Sequence, residues 1–447
     1  MAFAKDFLWG TASASAQVEG GWNEGGRTPS IWDALIDGHI KHDETPYVAC
    51  DTYHHTKDDA ALMGELGLKS YRFSISWPRV IPAEGKVNPA GVAYYSNLVD
   101  ELLKNGVTPM ITLYHWDLPM WVYRKGGWLY EGISDLFADY AKTVAEALGD
   151  RVEYWLTLNE PQVFVGAGYN RGTHAPFLKV GKVGVEIVTR NVLLAHGKAA
   201  AAIRQYAAKT PKVGFAPSAR CYTPAEDTPE AIAEAKRLTS EGSTTHTGNI
   251  WWESPIVRGE ALDGQKHFLS EDDLKLIHQP LDFFGVNVYQ SRNYLIKQGV
   301  PNPQAQKKWG QSRTQMDWAI TPEVLYWMPK FYYERYGLPI LITENGLANC
   351  DVISLDGAVH DPQRIDFITR YLAHLKMAVD EGVPVIGYQY WSLFDNFEWD
   401  KGYSMRFGLL YTDYANGCRR VPKDSARFYS EIIRANGENL PKLPLNW

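Results

Sequence analysis

Hydrophobic and polar positions along the chain alternate between two repeating patterns. Short runs rich in β-branched and aromatic residues, typical of buried strands, are followed by longer stretches whose apolar residues recur every three or four positions, as in helices. The eight strand-like runs cover residues 7–12, 70–77, 108–114, 154–158, 212–216, 282–289, 339–343 and 384–390. The helical stretches cover residues 51–66, 89–104, 134–148, 185–208, 228–239, 322–336, 362–380 and 425–435.

Local signals predict where several of these elements begin and end. Asp51 and Ser134 are of the residue types that cap helix N-termini, so each is predicted to begin the helix beside it. Pro161 cannot donate a hydrogen bond to a sheet and restricts the residue before it, so the fourth strand should stop at Glu160. The polar stretch from 291 to about 321 follows neither pattern and is predicted to be a long loop.

The regular alternation of strands and helices predicts the fold class. Each helical crossover returns the chain to the same end of the sheet, so the strands must be parallel. Eight such units without a linker favour one domain of residues 1–447, a (β/α)₈ TIM barrel with long βα loops around its mouth. A doubly wound sheet would carry a glycine-rich phosphate turn after its first strand, whereas Thr11–Gln17 reads Thr-Ala-Ser-Ala-Ser-Ala-Gln.

Charge and cysteine content narrow the class of protein. A formal charge of −7 argues against a surface that binds nucleic acid or anionic membranes. No stretch approaches the roughly 18 consecutive apolar residues of a membrane span, and the N-terminus lacks the charged and apolar regions of a signal peptide. The four cysteines are widely spaced without a C-x-x-C motif, which favours free thiols. We therefore expect a cytoplasmic protein.

The aromatic content allows two interpretations. The 16 tryptophans and 26 tyrosines could build a large aromatic core, or some could stack on a sugar-like ligand. None of the 12 histidines forms an H-x-x-x-H pattern beside an acid, so no metal is expected. No phosphate-binding loop is present, and no cofactor is predicted.

Polar and aromatic residues follow most of the predicted strands. In a barrel the carboxyl ends of all strands meet at one face, where catalytic residues lie. Two carboxyls, on the fourth and seventh strands, would face each other among amide, phenol and tryptophan side chains, as sugar chemistry requires. The residues expected at this face are Gln17, Arg72, His115, Asn159, Glu160, Asn287, Tyr289, Glu344, Trp391, Glu398 and Trp399.

Glycosidic bond cleavage explains why two carboxyls are needed. One protonates the leaving oxygen, and the other lies across the anomeric carbon; a separation of about 5–5.5 Å retains configuration and a wider one inverts it. The two must differ in ionisation at one pH. Arg72 and Tyr289, if adjacent to Glu344, would keep it ionised, whereas the apolar strand before Glu160 favours its protonated form.

Several long motifs resemble those of glycoside hydrolase family one, the β-glucosidase family, across essentially the whole chain. The matching segments are Phe7–Ser13 (FLWGTAS), Gln17–Gly20 (QVEG), Tyr71–Arg79 (YRFSISWPR), Leu113–Pro119 (LYHWDLP), Thr157–Pro161 (TLNEP), Gly285–Tyr289 (GVNVY), Ile342–Gly346 (ITENG) and Tyr390–Trp399 (YWSLFDNFEW).

The resemblance implies a retaining, exo-acting β-glycosidase that uses a covalent glycosyl-enzyme intermediate. Glu160 would be the acid/base and Glu344 the nucleophile. The substrates would be aryl or alkyl β-glucosides and short β-gluco-oligosaccharides such as cellobiose; galactosides and fucosides stay open because they differ only in hydroxyl orientation. The implied sugar-binding residues are Gln17, His115, Asn159, Tyr289, Trp391, Glu398 and Trp399; Arg72, Asn287 and Tyr289 would support the nucleophile, and Trp318 would line the leaving-group side.

Glu398-Trp399 favours an unphosphorylated sugar, since family members acting on 6-phosphorylated sugars are expected to carry small residues there. Lys401 and Tyr403 lie nearby and weaken that argument. One departure from the family pattern is Phe177, where glycine is expected after the proline of His-Ala-Pro. A sugar-binding barrel without catalysis and a barrel isomerase or aldolase remain as alternatives; the latter would need a phosphate site after strands seven and eight.

Overall fold

The strands expected from the sequence pair in parallel around a barrel, so the predicted (β/α)₈ fold is confirmed. The computed structural model describes residues 2–224, 226–291, 295–297, 300–302 and 310–444. The barrel strands are β1 (Leu8–Ala12), β2 (Ser70–Ser74), β3 (Thr108–Tyr114), β4 (Tyr154–Asn159), β5 (Lys212–Ala216), β6 (Phe284–Asn287), β7 (Ile340–Asn345) and β8 (Val385–Trp391).

The order of the strands places their carboxyl ends together. Hydrogen-bonded neighbours run β5-β4-β3-β2-β1-β8-β7-β6, all parallel. The two outer strands meet through backbone hydrogen bonds, from Asp282 N to Val213 O (2.9 Å) and from Asn287 N to Pro217 O (3.0 Å). The barrel is therefore closed near its mouth, and the loops after the strands share one face.

Helices surround the barrel and fill the loops at its mouth. None of the helices in the described part of the chain is long and apolar enough to cross a membrane. The longer helices are Thr52–Glu65, Pro89–Lys104, Ile133–Leu148, Gly181–Tyr206, Pro229–Glu241, Glu271–Ile277, Val324–Tyr336, Pro362–Asp380 and Asp424–Arg434. Short helices are Ser15–Val18, Ile31–Ala34, Trp77–Val80, Met120–Tyr123, Pro161–Val165 and Asn249–Glu253.

Of the two predicted helix caps, Asp51 is confirmed in position but makes no side-chain cap bond, and Ser134 is wrong. Asp51 precedes its helix but has left-handed backbone geometry (φ 55°), and its carboxylate bonds His54 Nδ1 (2.6 Å) instead of a backbone N–H. Ser134 lies inside a helix that begins one residue earlier, and its hydroxyl accepts from Lys198 Nζ (2.9 Å). Asp51 thus bonds a side chain in the first turn of its own helix, and Ser134 bonds a side chain of another helix, so neither makes the backbone cap bond that local rules assign.

Other differences arise in the loops. The second strand ends at Ser74, not at residue 77, because Trp77–Val80 is helical. Helix Glu271–Ile277 was not predicted, although its Ser270-x-x-Asp273 capping box is visible in the sequence. The predicted loop contains paired strands Leu295–Lys297 and Val300–Asn302; its residues 292–294, 298–299 and 303–309 lie outside the described residues. A second hairpin pairs Leu410–Asp413 with Arg419–Pro422.

The core holds much of the aromatic content, so the first interpretation of the composition is correct for many rings. Six tryptophans are fully buried: Trp9, Trp32, Trp77, Trp128, Trp155 and Trp252. The four cysteines are free thiols, as predicted, and Cys350 is exposed whereas the others are buried.

A buried charge network joins the loops after β7 and β8 to the C-terminal helix. Lys423 Nζ contacts Asp351 Oδ2 (2.5 Å) and Asp395 Oδ1 (2.7 Å). Arg364 pairs with Asp351 (2.6 Å), and Arg406 pairs with Asp395 (2.8 Å). All of these side chains except Arg406 are 0–1% exposed, so each charge depends on its partners for stabilisation.

Replacing Lys423 by Met should lower the free energy of unfolding by about 3–5 kcal/mol, because two buried carboxylates lose their shared cation. Denaturant unfolding followed by circular dichroism measures the change. Lys266→Met is the control, since Lys266 forms an exposed ion pair with Asp263 that contributes little to stability. Equal effects of the two substitutions would contradict a structural role for the buried network.

Candidate active site

Glu160 stands where β4 turns into a helix at the barrel mouth. Its backbone is left-handed (φ 48°), and its N–H donates to Ala216 O (2.7 Å) on β5. Pro161 then begins the short helix Pro161–Val165, so the strand stops where the sequence predicts. The carboxyl lines a cavity of about 510 Å³ and is largely buried.

Glu344, on β7, lines the same cavity and is held at both carboxylate oxygens. Oε1 accepts from Arg72 Nη1 (2.7 Å), and Oε2 accepts from the Tyr289 hydroxyl (2.7 Å). The residue is 4% exposed, and Arg72 is 1% exposed. A charged hydrogen bond in such surroundings is strong and fixes the carboxylate in one orientation.

Two asparagines connect the carboxyls. Asn287 Nδ2 donates to Glu160 Oε1 (3.0 Å) and to Asn159 Oδ1 (3.0 Å), while Asn287 Oδ1 accepts from Thr343 Oγ1 (2.7 Å). Asn159 Oδ1 also accepts from Arg72 Nη2 (2.6 Å). Arg72 therefore contacts Glu344 directly but reaches Glu160 only through the two amides.

Because Arg72 contacts only one of the two carboxyls directly, the pKa values of Glu160 and Glu344 are affected differently. Burial, and then the negative charge of Glu344, raise the pKa of Glu160 to about 8, against the opposing effects of Asn287 and Arg72. Burial also raises the pKa of Glu344, but the charge of Arg72 and the Tyr289 hydrogen bond lower it in part. The cation beside Glu344 thus favours its charged form, whereas Glu160 has only uncharged groups in direct contact and favours its protonated form.

His115 is held neutral with its ring proton facing away from Asn159. Burial and the charge of Arg72 lower its pKa well below the ordinary value. Because Asn159 Oδ1 accepts from Arg72, the amide nitrogen must donate to His115 Nε2 (2.9 Å), which places the ring proton on Nδ1. Within the described part of the chain, Nδ1 has no hydrogen-bond partner, so it can donate to a ligand.

Gln17 positions a third carboxyl, Glu398, in the cavity. Gln17 Nε2 donates to Asn396 Oδ1 (3.0 Å), to Phe397 O (2.8 Å) and weakly to Glu398 Oε2 (3.4 Å). Burial, followed by the negative charges of Glu344 and Asp400, raises the pKa of Glu398 to about 8. A carboxyl in that state can both donate to and accept from neutral hydroxyls.

Tryptophans form the walls. The Trp391 ring stacks against His115, with centroids 5.7 Å apart and planes at 24°. Trp399 packs on Trp116 at 4.5 Å, and Trp318 packs on Tyr289 at 5.0 Å. The cavity thus joins polar groups at its base with flat apolar surfaces beside them, a combination that suits a sugar ring.

Comparisons with known proteins agree with this geometry. The sequence model described as glycosyl hydrolase family 1 matches residues 1–438. The chain belongs to that family. It is 39% identical over 448 residues to β-glucosidase A of Thermotoga maritima (97% of this chain, 98% of the relative) and 40% identical over 451 residues to a 1,4-β-D-glucan glucohydrolase of Thermotoga neapolitana (97% and 99%).

A solved structure is equally similar. The family 1 β-glucosidase from Thermotoga maritima superposes with a TM-score of 0.87 at 38% identity, covering 98% of this chain and 99% of that one.

Most of the predicted site residues line the cavity of this family 1 protein, and three stand behind its wall. Gln17, Arg72 and Asn159 are the three behind the wall; they contact lining residues instead. The predicted residues that line the cavity are His115, Glu160, Asn287, Tyr289, Trp318, Glu344, Trp391, Glu398 and Trp399.

Other lining residues were not predicted because no motif marks them. Gln162, Arg171 and Arg220 come from the segments after β4 and β5. His174 begins the His-Ala-Pro-Phe segment that departs from the family pattern at Phe177. Phe177 has the left-handed backbone (φ 58°) that explains the expected glycine, and its ring stacks on His39 at 3.8 Å.

Among the described residues, no cluster of acidic, histidine or cysteine side chains could hold a metal ion.

Replacing Glu344 by Gln should lower the pKa of Glu160 from about 8, because a neighbouring negative charge is removed. NMR titration of ¹³C-carboxyl-labelled glutamates would follow the resonance that titrates near pH 8 and is lost in Glu160→Gln. Glu381→Gln, which changes a carboxylate paired with Lys330 on the outside, is the control. An unchanged Glu160 pKa in the Glu344 variant would contradict the electrostatic coupling.

Proposed function

We propose that this protein is a retaining, exo-acting β-glucosidase in which Glu344 is the nucleophile and Glu160 the acid/base. The observation that carries this proposal is that the two carboxyls in one cavity have different hydrogen-bond and ion-pair partners. Arg72 and Tyr289 bond both oxygens of Glu344, whereas Glu160 is contacted by the uncharged Asn287 and Ser218 side chains, and its pKa of about 8 keeps it protonated at neutral pH. The residues have the ionisation that double displacement requires.

The first step forms a glycosyl-enzyme. A Glu344 oxygen attacks the anomeric carbon, the glycosidic C–O bond breaks, and the Glu160 proton passes to the leaving oxygen. Arg72 and Tyr289 hold the attacking carboxylate in place. In the second step Glu160, now a carboxylate, takes a proton from water, whose oxygen attacks the same carbon and releases Glu344.

The remaining polar groups fit the hydroxyls of a sugar. His115 Nδ1 lines the cavity and suits a ring hydroxyl. The family resemblance implies that Asn159, which stands behind His115, uses the second N–H of Nδ2 to reach the 2-hydroxyl. Glu398, supported by Gln17, would bind the hydroxyls at the far end of the ring. Trp391 would form the platform beneath the ring, with Trp399 beside it, as the family resemblance implies.

An unphosphorylated β-D-glucosyl residue at the non-reducing end is the substrate we favour, with galactosyl and fucosyl residues as related alternatives. The protonated Glu398 carboxyl fits neutral hydroxyls, and once ionised above about pH 8 it would also repel a phosphate. Lys401 Nζ is paired with Asp400 Oδ2 (2.6 Å), and the Tyr403 hydroxyl donates to Thr45 O (2.8 Å), so neither is arranged for phosphate. Aryl and alkyl glucosides and cellobiose fit this proposal. The proposal also treats the chain as one catalytic domain. The free thiols agree with a cytoplasmic location.

Replacing Glu344 by Ala should abolish hydrolysis of nitrophenyl β-glucoside, because no carboxylate remains to attack the anomeric carbon. Added azide or formate should restore part of the turnover and give product of inverted configuration, measured by release of nitrophenol and by NMR. Glu381→Ala serves as a folded control with an external carboxylate removed. Full activity in the Glu344 variant would refute the assignment, and an inactive wild type would favour a binding protein.

The pH profile should report Glu160. Because the protonated form donates the proton, kcat/KM should fall as the pH rises through about 8. In Glu160→Gln this basic limb should vanish, and hydrolysis of substrates with poor leaving groups should drop by about 10²–10⁴-fold, while a dinitrophenyl glucoside, which needs no proton, should still form the glycosyl-enzyme. A basic limb that persists in the variant would assign the acid elsewhere.

A further inference from the structure

The cavity wall beside Glu160 carries positive charge that the proposed reaction does not use. Arg171 and Arg220 both line the cavity, as does Asp400, which is paired with Lys401. Two guanidinium groups beside the acid favour a ligand that carries a negative charge at that end.

The position of this wall relative to Glu160 identifies it as the leaving-group side. Glu160 delivers its proton to the leaving oxygen, so side chains that extend outward from it contact the leaving group. Gln162 follows it on the same short helix, and Gln162 Oε1 accepts from Ser218 N (3.2 Å). Arg220 lies two residues beyond Ser218 in the loop after β5. The helix that carries Gln162 and the loop that carries Arg220 therefore meet beside Glu160.

The side-chain amide of Gln162 has a buried N–H donor that lacks an acceptor among the described residues. The residue is 7% exposed and lines the cavity. Since Ser218 N–H fixes Oε1 as the acceptor, Nε2 is the free end of the amide, and it has no hydrogen-bond partner among the described residues. A buried N–H without a partner is costly, so a ligand oxygen at this position would be stabilised.

The two arginines act on the same small region. Arg171 ends the helical segment Gly166–Arg171, and a Cβ at Gly166 would lie 3.3 Å from Arg171 Nη1 and 3.8 Å from His246 Nε2. Burial and then the charges of Arg171 and Arg220 lower the pKa of His246, so that ring is neutral. Within the described part of the chain, no carboxylate lies within ion-pair distance of Arg171.

Aromatic and thioether surfaces also line the cavity. Trp318 packs against Tyr289 and Phe407 at 5.0 and 6.0 Å, and Met316 lies in the same cluster. All four line the cavity. A flat ring beyond the scissile bond can pack here while its substituent extends toward the arginine wall.

We propose that the leaving-group subsite selects β-glucosides of aromatic carboxylates, with the ring against Trp318 and the carboxylate facing Gln162 Nε2, Arg171 and Arg220. The inference rests on the proposed β-glucosidase function and names its substrate class. Guanidinium groups pair with carboxylates through two parallel N–H donors, which a neutral amide cannot reproduce.

The test compares 4-carboxyphenyl β-glucoside with its neutral counterpart, 4-carbamoylphenyl β-glucoside. Arg171→Gln/Arg220→Gln should lower the ratio of their kcat/KM values by about tenfold or more relative to the wild type. The control Arg237→Gln/Arg434→Gln removes the same net charge from exposed positions outside the cavity and should keep the wild-type ratio. Comparing ratios removes the intrinsic difference between the two leaving groups.

Ionic strength supplies a measurement on the unmodified protein. Raising the salt from about 20 to about 500 mM should lower the wild-type ratio, because exposed charges are screened. A wild type that hydrolyses the carboxamide, with a ratio insensitive to salt and to the two arginines, would overturn this inference alone. Failure to hydrolyse either glucoside, or nitrophenyl β-glucoside, would instead refute the proposed function.

Discussion

The buried guanidinium of Arg72 is the interaction on which the candidate site depends. From β2 it donates to Glu344 Oε1, to Asn159 Oδ1, to the Thr343 carbonyl and to Thr112 Oγ1, and so joins four strands inside the barrel. A cation buried this deeply is tolerated only if carboxylate and carbonyl groups surround it. The barrel geometry that supplies those groups therefore also fixes where the negative charge of Glu344 lies.

The arrangement around Arg72 separates the two carboxyls chemically. Glu344 has the cation, whereas Glu160 has an amide, a neighbouring negative charge and little solvent, which raise its pKa to about 8. The same chain of hydrogen bonds sets the tautomer of His115 through Asn159. One buried charge thus influences the ionisation of the proposed acid, the proposed nucleophile and the histidine proposed to bind the sugar.

Much of the fold and part of the site could be predicted because they depend on local sequence. The strand bounds Thr108–Tyr114 and Lys212–Ala216 and the helix Pro89–Lys104 match the prediction, since their apolar pattern is set by burial. Asp51 precedes its helix as predicted, whereas the Ser134 cap fails because the helix begins earlier and Lys198 of another helix bonds the Ser134 hydroxyl. Arg171 and Arg220 could not be found, because only the path of the segments after β4 and β5 brings them to the cavity, and Gln162 adjoins Glu160 in sequence but no motif marks it.

The stereochemistry of hydrolysis tests double displacement most directly. Proton NMR of nitrophenyl β-glucoside, recorded within the first minutes and before mutarotation, distinguishes the anomer released first. Attack by Glu344 followed by water on the same face predicts β-glucose as the initial product. α-Glucose as the initial product would mean that water attacks directly, and would contradict the role of Glu344 as a nucleophile.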